Sequence, residues 1–351
     1  MELKDLRKMI DQTDFEILKL LGRRMEFVLR ADKLRKSGES GGCEESVRRE
    51  ILENRSHLLE RDFLENISGE IARESLAIRG KNLKLAGFQG EHGAYGEEAA
   101  RSFAGDAVPI SCTEFVDVFD GVKNGQIDLG FVPVENSIEG AVNAVNDLLI
   151  ETSLSIVGEI SVPIHHCLLA LPETDYREIK VVYSHPQALG QCNGFVARNK
   201  LEPRPYYDTA GAAMMLANER PRAAAAIASR LCADIYNLEI LKENIEDHES
   251  NSTRFLVLAR ENSGVDGDKC SIVFSTRHKA GALFSVLKVF SDAGINLTRI
   301  ESRTVRNDPR NFAFLLDFQG SDRDRKVAAA LKKAEKLTTS LKFLGCYKES
   351  I

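Results

Sequence analysis

The chain has 351 residues, is 43% hydrophobic and 28% charged, and carries a formal net charge of −6. That length makes two or three domains, with enough chain to bury at least one sizeable core. The acidic balance argues against a nucleic-acid partner, which selects a basic surplus, but it leaves room for a locally basic site that takes a small anion.

The stretch from Met1 to Asp5 has no cationic segment leading into an apolar one, so no secretory leader is expected. No apolar run has the length of a membrane span. The seven cysteines are scattered and form no CxxC pair. That usage reads as reduced thiols in a cytoplasmic protein rather than a disulfide framework.

Residues 1 to about 80 read as helix throughout. Leu3, Leu6, Ile10, Ile17, Leu20, Leu21 and Val28 fall on one amphipathic face. The loop Ser37-Gly38-Glu39-Ser40-Gly41-Gly42 breaks the pattern. A second helix is expected from about Glu44, and a third ending near Ile78. One very long helix with two short ones buries little alone, so a homodimer or higher homo-oligomer is expected. Any single arginine here reads as part of a solvated face, but the spacing says more. Arg24 and Arg35 lie within roughly 20° of one face. Arg7 and Arg24 are about 26 Å apart along the axis and about 100° out of phase. No small molecule can touch both on one straight helix. Either Arg7 plays no part, or it serves a site in a second subunit.

From about Lys81 to Arg260 strand and helix patterns alternate, which is an α/β texture. Three polar clusters sit at strand ends. Phe131–Val134 runs into Glu135-Asn136-Ser137. Val181–Tyr183 runs into Ser184-His185-Pro186-Gln187, with Gln191 following. Asn251-Ser252-Thr253-Arg254 precedes Phe255. Each alone reads as a turn or cap; three together suggest a ligand crevice at strand ends. Asn251-Ser252-Thr253 also fits a glycosylation acceptor, a reading that falls without secretion. His165 and His166 are neighbours on a strand and point to opposite faces. They cannot share an ion, and no metal site is expected. His185 reads as structural beside Pro186.

A hydrophilic linker, 261–268, precedes the order strand (271–276), helix (282–292), strand (297–305), strand (311–318), helix (323–336), strand (341–347). This is the split βαβ pattern of a ferredoxin-like sandwich.

Motifs in all three parts resemble known families. Leu6-Arg7-x-x-Ile10-Asp11-x-x-Asp14, Leu20-Leu21-x-Arg23-Arg24, Arg49-Glu50 and Glu74-Ser75 resemble the all-helical chorismate mutases. The resemblance implies a Claisen rearrangement of chorismate that needs no acid, base or covalent step. Cations hold two carboxylates in the folded conformer and stabilise charge on the ether oxygen. It implies that Arg7 of the partner subunit, Arg24 and Arg49 bind carboxylates and Glu50 the hydroxyl, with Ser75 in the same site. Arg35 stands where the family has lysine, and Arg79 where it has glutamine or glutamate; both positions face the ether oxygen there.

Gly90-x-x-Gly93-x-Tyr95, Val132-Pro133-Val134-Glu135-Asn136-Ser137, Ser184-His185-Pro186-Gln187 with Gln191-Cys192, and Thr253-Arg254-Phe255 resemble prephenate dehydratase. Each is weak alone; all four in order are specific. The resemblance implies two lobes like a periplasmic binding protein, with the chain crossing near 160 and returning near 240. Prephenate in the cleft would lose CO2 and water to give phenylpyruvate. Hydroxide leaves poorly, so a positioned proton donor is needed. Thr253, Asn136, Gln191 and Glu135 are the expected catalytic residues. Ser184, Ser137, Arg254 and Tyr95 are the expected substrate contacts. Gly96 stands where the family has serine.

Gly281-Ala282-Leu283, Asn296-Leu297 and Glu301-Ser302-Arg303 resemble the ACT domain of phenylalanine-regulated dehydratases, with Thr304 in place of proline. The resemblance implies an L-phenylalanine site at those residues. Together the expectations are a mutase domain over 1–80, a dehydratase domain over 83–260 and an ACT domain over 270–347, with no cofactor and no membrane partner. Two rivals stand: a dehydratase with a degenerate mutase domain, and a non-catalytic amino-acid sensor.

Overall fold

The computed structural model describes residues 3–34, 58–262, 264, 266–305 and 308–350. The chain divides into two units, one ending at Lys84 and one beginning at Leu85.

The first unit contains α1 (Leu3–Leu34) and α2 (Arg61–Arg79). The 32 residues of α1 extend about 48 Å. Val28 and Leu29 are buried on α1, and Ser75 on α2. Leu3, Leu6, Ile10, Ile17 and Leu20 remain 41–66% exposed. The apolar face read from the sequence is therefore largely uncovered by the described residues. The helix expected from about Glu44, with Arg35, Arg49 and Glu50, lies outside the described residues.

The second unit is built on three sheets. The first holds β1 (Leu85–Gln89), β2 (Val108–Cys112), β3 (Leu129–Asn136), β4 (Gly140–Ala141), β5 (Ser155–Pro163) and β11 (Ser252–Ala259). Its order is β2-β1-β3-β11-β5, with β4 paired to β3. The helices α3 (Tyr95–Phe103), α4 (Phe115–Lys123) and α5 (Asn143–Glu151) connect its strands. The second sheet has the order β10-β6-β9-β7-β8: β6 (Cys167–Ala170), β7 (Val181–Ser184), β8 (Glu202–Pro205), β9 (Ala224–Ala228) and β10 (Glu239–Lys242). Between them come α6 (Pro186–Gln191), α7 (Asn193–Arg198), α8 (Thr209–Glu219) and α9 (Arg230–Tyr236). The chain leaves the first sheet after Pro163 and returns at Ser252. These two crossings place a cleft between two α/β lobes.

The third sheet contains β12 (Lys269–Thr276), β13 (Leu297–Val305), β14 (Asp308–Gln319) and β15 (Ser340–Tyr347), with α10 (Ala282–Asp292) and α11 (Arg325–Glu335). Its antiparallel order β13-β14-β12-β15 is ferredoxin-like, as the element order predicts. Both faces of this sheet are buried, and the alternation shows how. Ile272, Phe274, Phe314, Leu316 and Phe318 pack on the core under α10 and α11. Val273, Ala313, Leu315 and Tyr347 join the core of the first lobe with Val132, Val134, Val145 and Leu149. The backbones also come close there, since a Cβ on Gly345 would collide with the Ile156 carbonyl.

Candidate active site

Strands β3 and β11 are antiparallel neighbours, with Thr253 opposite Asn136 and Arg254 opposite Glu135. Alternation sends the first pair to one face and the second to the other. The first face opens on a cavity of about 420 Å³ between the lobes. Asn136, Thr253, Gln191, Tyr95 and Gly96 line it, with His166, His185, Gln187 and Asp208. Phe115, Phe131, Pro133, Val142, Ile164 and Phe255 supply apolar wall. Among the described residues neither lysine nor arginine lines it.

The polar groups form one directed chain, and the backbone sets its direction. Asn136 Oδ1 accepts from the Ile138 and Glu139 backbone N–H groups, each at 3.0 Å. Its Nδ2 must then face inward. It donates to Asn251 Oδ1 at 2.8 Å, and lies 3.2 Å from the Ser252 carbonyl and 3.0 Å from Thr253 Oγ1. Asn251, only 1% exposed, has its own oxygen occupied, so its Nδ2 donates to Gln191 Oε1 at 3.1 Å. That same oxygen sits 2.9 Å from His166 Nε2. Burial pushes the His166 pKa down, so the ring is neutral with its proton on Nε2. Its Nδ1 lies 3.0 Å from the Tyr95 hydroxyl, whose one proton is shared between that nitrogen and the His165 carbonyl at 2.7 Å. Burial holds the Tyr95 phenol protonated, its pKa well above the ordinary value.

Two donors are left over for the cavity. Thr253 Oγ1 spends a lone pair on Asn136 and gives its own proton to no protein group among the described residues. The Gln191 amide N–H groups are likewise unspent. Helix starts add to them, since Ala94, Phe115, Val142 and Asp208 sit at or beside the first residues of α3, α4, α5 and α8. Exposed N–H groups and helix dipoles at such ends favour anions. Asp208 Oδ1 caps α8 by accepting from Gly211 N at 2.6 Å, and burial raises its pKa.

The cleft is stitched on its other side as well. Ser229 Oγ donates to the Gly93 carbonyl at 2.6 Å, Tyr236 to the His92 carbonyl at 2.7 Å and Tyr207 to Glu91 at 2.9 Å. A Cβ on Gly93, whose φ is +92°, would run into Cys232. That close approach is why the glycine is needed. Gly96 is similarly confined, since a Cβ there would lie 3.1 Å from Phe88 Cβ.

Four expected site residues lie outside the cavity. Arg254 faces the ferredoxin-like sheet: it donates to Glu159 at 2.7 Å, pairs with Asp317 at 2.8 Å and lies 3.3 Å from the Tyr347 hydroxyl. Glu135 is half-exposed on that same face, 3.9 Å from Arg254 and 3.8 Å from Arg299, not enclosed beside Thr253. Ser184 is fully buried and donates to the Ile227 carbonyl at 2.7 Å. Ser137 binds the Ser250 carbonyl and the Ser252 N–H, which fastens the turn below the site. Conversely, Asn251 and His166 were not expected. Asn251 read as a cap and His166 only as an argument against metal. The signal for His166 was present: if adjacent histidines face opposite ways, one faces in.

His165, the other of that pair, faces Glu246 at 2.7 Å. His185 caps α6, its Nδ1 accepting from Gln187 N at 3.3 Å. Among the described residues no cluster of histidine, cysteine and carboxylate could hold a metal. The described cysteines are all free and buried.

In the helical unit Arg24 Nη1 donates to Ser75 Oγ at 2.5 Å, and Ser75 donates to the Ile71 carbonyl. Arg79 lies 4.0 Å from Asp32. Arg7 is exposed. In the ferredoxin-like domain Gly281, at φ +80°, precedes α10, whose first turn holds Ala282 and Leu283. Asn296 Nδ2 donates to Gln319 at 3.0 Å just before Leu297 opens β13. Glu301 and Ser302 follow on that strand. Arg303 is turned away from the start of α10 and is bound to α5: it chelates Asp147 at 2.6 and 3.0 Å and reaches Asn143 at 2.9 Å.

The prephenate dehydratase family pattern matches residues 86–263, and the ACT domain pattern matches 271–336. A bifunctional chorismate mutase/prephenate dehydratase of Aquifex aeolicus is 36% identical, covering 100% of this chain and 99% of that one. A prephenate dehydratase from Arthrobacter aurescens, solved with L-Phe, superposes with a TM-score of 0.70 at 32% identity, over 76% of this chain and 90% of that one. GqqA, described as a novel type of quorum quenching acylase, superposes at 0.72 with 32% identity, over 76% of this chain and 98% of that one.

Proposed function

Because this chain belongs to the bifunctional chorismate mutase/prephenate dehydratase family, we propose a division of labour among its residues in two reactions and their control. The enzyme rearranges chorismate to prephenate and converts prephenate to phenylpyruvate in phenylalanine biosynthesis.

In the dehydratase step the ring C–CO2 bond breaks, its electrons aromatise the ring, and the C4 hydroxyl leaves with an added proton as water. Thr253 donates a hydrogen bond or proton to that hydroxyl. Asn136 turns the threonine so that its proton points outward, and Gln191 steadies the substrate. The observation that carries this reading is the unspent Thr253 proton beside an Asn136 amide whose orientation the Ile138 and Glu139 N–H groups fix. An apolar wall without lysine or arginine leaves the departing carboxylate weakly stabilised, which favours its loss as neutral CO2. Helix starts offer positive potential for the carboxylate that stays. An acylase reaction through Thr253 would want a base that takes the threonine proton; Asn136 Nδ2 donates to that oxygen instead. A non-catalytic sensor would have no use for the unspent hydroxyl.

In the helical unit Arg24 and Ser75 belong to one seam, with Arg79 one turn further along α2. Arg7 serves the site of a partner subunit, and the uncovered face of α1 is the dimer contact. L-phenylalanine binds near Gly281 and Asn296 and inhibits. No described helix is long and apolar enough to cross a membrane, and the enzyme works in the cytoplasm.

Purified protein should form phenylpyruvate from prephenate, and prephenate then phenylpyruvate from chorismate, followed by absorbance. No product from prephenate contradicts the reading. Product from prephenate but none from chorismate removes the mutase.

A further inference from the structure

Helix α5 belongs to the first lobe, yet its polar partners come largely from the regulatory domain. Arg303 chelates Asp147 and reaches Asn143. Buried Arg299 donates to Asn146 at 2.6 Å. Lys342 on β15 caps the other end, its Nζ reaching the carbonyls of Leu149, Ile150 and Thr152 at 3.2, 2.7 and 2.7 Å. A cation on the last carbonyls of a helix satisfies groups that have no partner within it. The start of this helix faces the reaction: Val142, its N-cap, lines the cavity.

The seam is also where buried polar groups are least satisfied. Among the described residues Asn146 Nδ2 and Arg299 Nε have no hydrogen-bond partner, and Asp317 Oδ2 is held by ion pairs, to Arg254 at 2.8 Å and Arg299 at 3.8 Å. Arg299 lies 3.8 Å from both Glu135 and Asp317, too far for a hydrogen bond to either. Closing either 3.8 Å gap to hydrogen-bond distance takes a shift of less than about 1 Å. A buried cation with two incomplete carboxylate partners leaves a seam that a ligand preferring one arrangement can bias.

We propose that Arg299, Arg303 and Lys342 are positioning residues for the dehydratase reaction, holding α5 so that the effector state of the regulatory domain sets the cavity wall at Val142. The proposal rests on phenylalanine acting at that domain. It assigns Arg303 to the transmission of the signal rather than to the effector itself.

The test is Asp147→Asn in the full-length protein, with phenylalanine binding measured by calorimetry and inhibition by phenylpyruvate formation. Asp147 belongs to neither the cavity nor the effector residues. Phenylalanine should bind the variant within about threefold of wild type, while its effect on prephenate affinity falls from the about 5–150-fold usual for allosteric coupling to below about twofold. The double reversal Asp147→Arg with Arg303→Asp should restore part of the inhibition, which a merely unfolded seam would not. If phenylalanine neither binds nor inhibits wild type, the regulatory reading itself falls. If it inhibits wild type and Asp147→Asn equally, transmission through α5 is wrong while regulation stands.

Discussion

Two faces of one pair of strands carry opposite chemistry. On one face of β3 and β11, Asn136 and Thr253 meet in a network of neutral amides and hydroxyls open to a cavity. On the other, Glu135 and Arg254, each one residue away, enter a cluster of ions with Glu159, Asp317 and Lys269. The neutral face leaves protons available and keeps them aimed. The charged face fixes a domain seam at the cost of burying ions, which is tolerable only while each has its partner. A run of motif letters is therefore two devices interleaved at a period of two.

This contrast can be broken from either side. The largest effect should come from the neutral face: Thr253→Val should lower dehydratase kcat by about 10²–10⁴-fold, the usual range for a lost proton donor, with a thermal midpoint near wild type. On the charged face Arg254→Met should do the reverse. It leaves Glu159 and Asp317 buried without that cation and should destabilise the second unit by about 3–5 kcal/mol, read by denaturant unfolding, with a smaller change in kcat. Asn251→Ala removes the hub and frees Gln191 to turn. A stability loss of about 1–3 kcal/mol together with a lower kcat would mark it as part of the neutral face.

The smallest effect is a pH dependence. Burial lowers the folded pKa of His166 below its unfolded value, so the unfolded chain binds the extra proton first. Stability from this group is complete above about pH 6.5 and is lost as the pH falls below it. His166→Gln should flatten the stability profile below that pH. An unchanged slope would mean that His166 is not held neutral.

How far the sequence reaches follows from the same strands. The apolar runs, the polar clusters at their ends and the ferredoxin-like order of the last six elements are local patterns, and they were legible. Pairing is not local: Thr253 meets Asn136 across 117 residues, and which letters of Thr253-Arg254 and Glu135-Asn136 face inward depends on that register. Nothing nearby in sequence reveals Asp317, so the motif alone points Arg254 toward substrate. The motif points Arg303 toward the effector for the same reason, its partner Asp147 being 156 residues away. Asn251 looked like a cap because its amide partners lie on two other segments.

The central claim is that the hydroxyl of Thr253 does the work on the neutral face, and two substitutions isolate it. Thr253→Ser keeps the hydroxyl and loses a methyl group; Thr253→Val keeps the shape and loses the hydroxyl. Dehydratase turnover on prephenate should be measured for both, with mutase turnover on chorismate in the same preparations as a check that the protein is intact. Serine should stay within about tenfold of wild type while valine falls by at least about 100-fold. Equal rates for serine and valine would contradict the account.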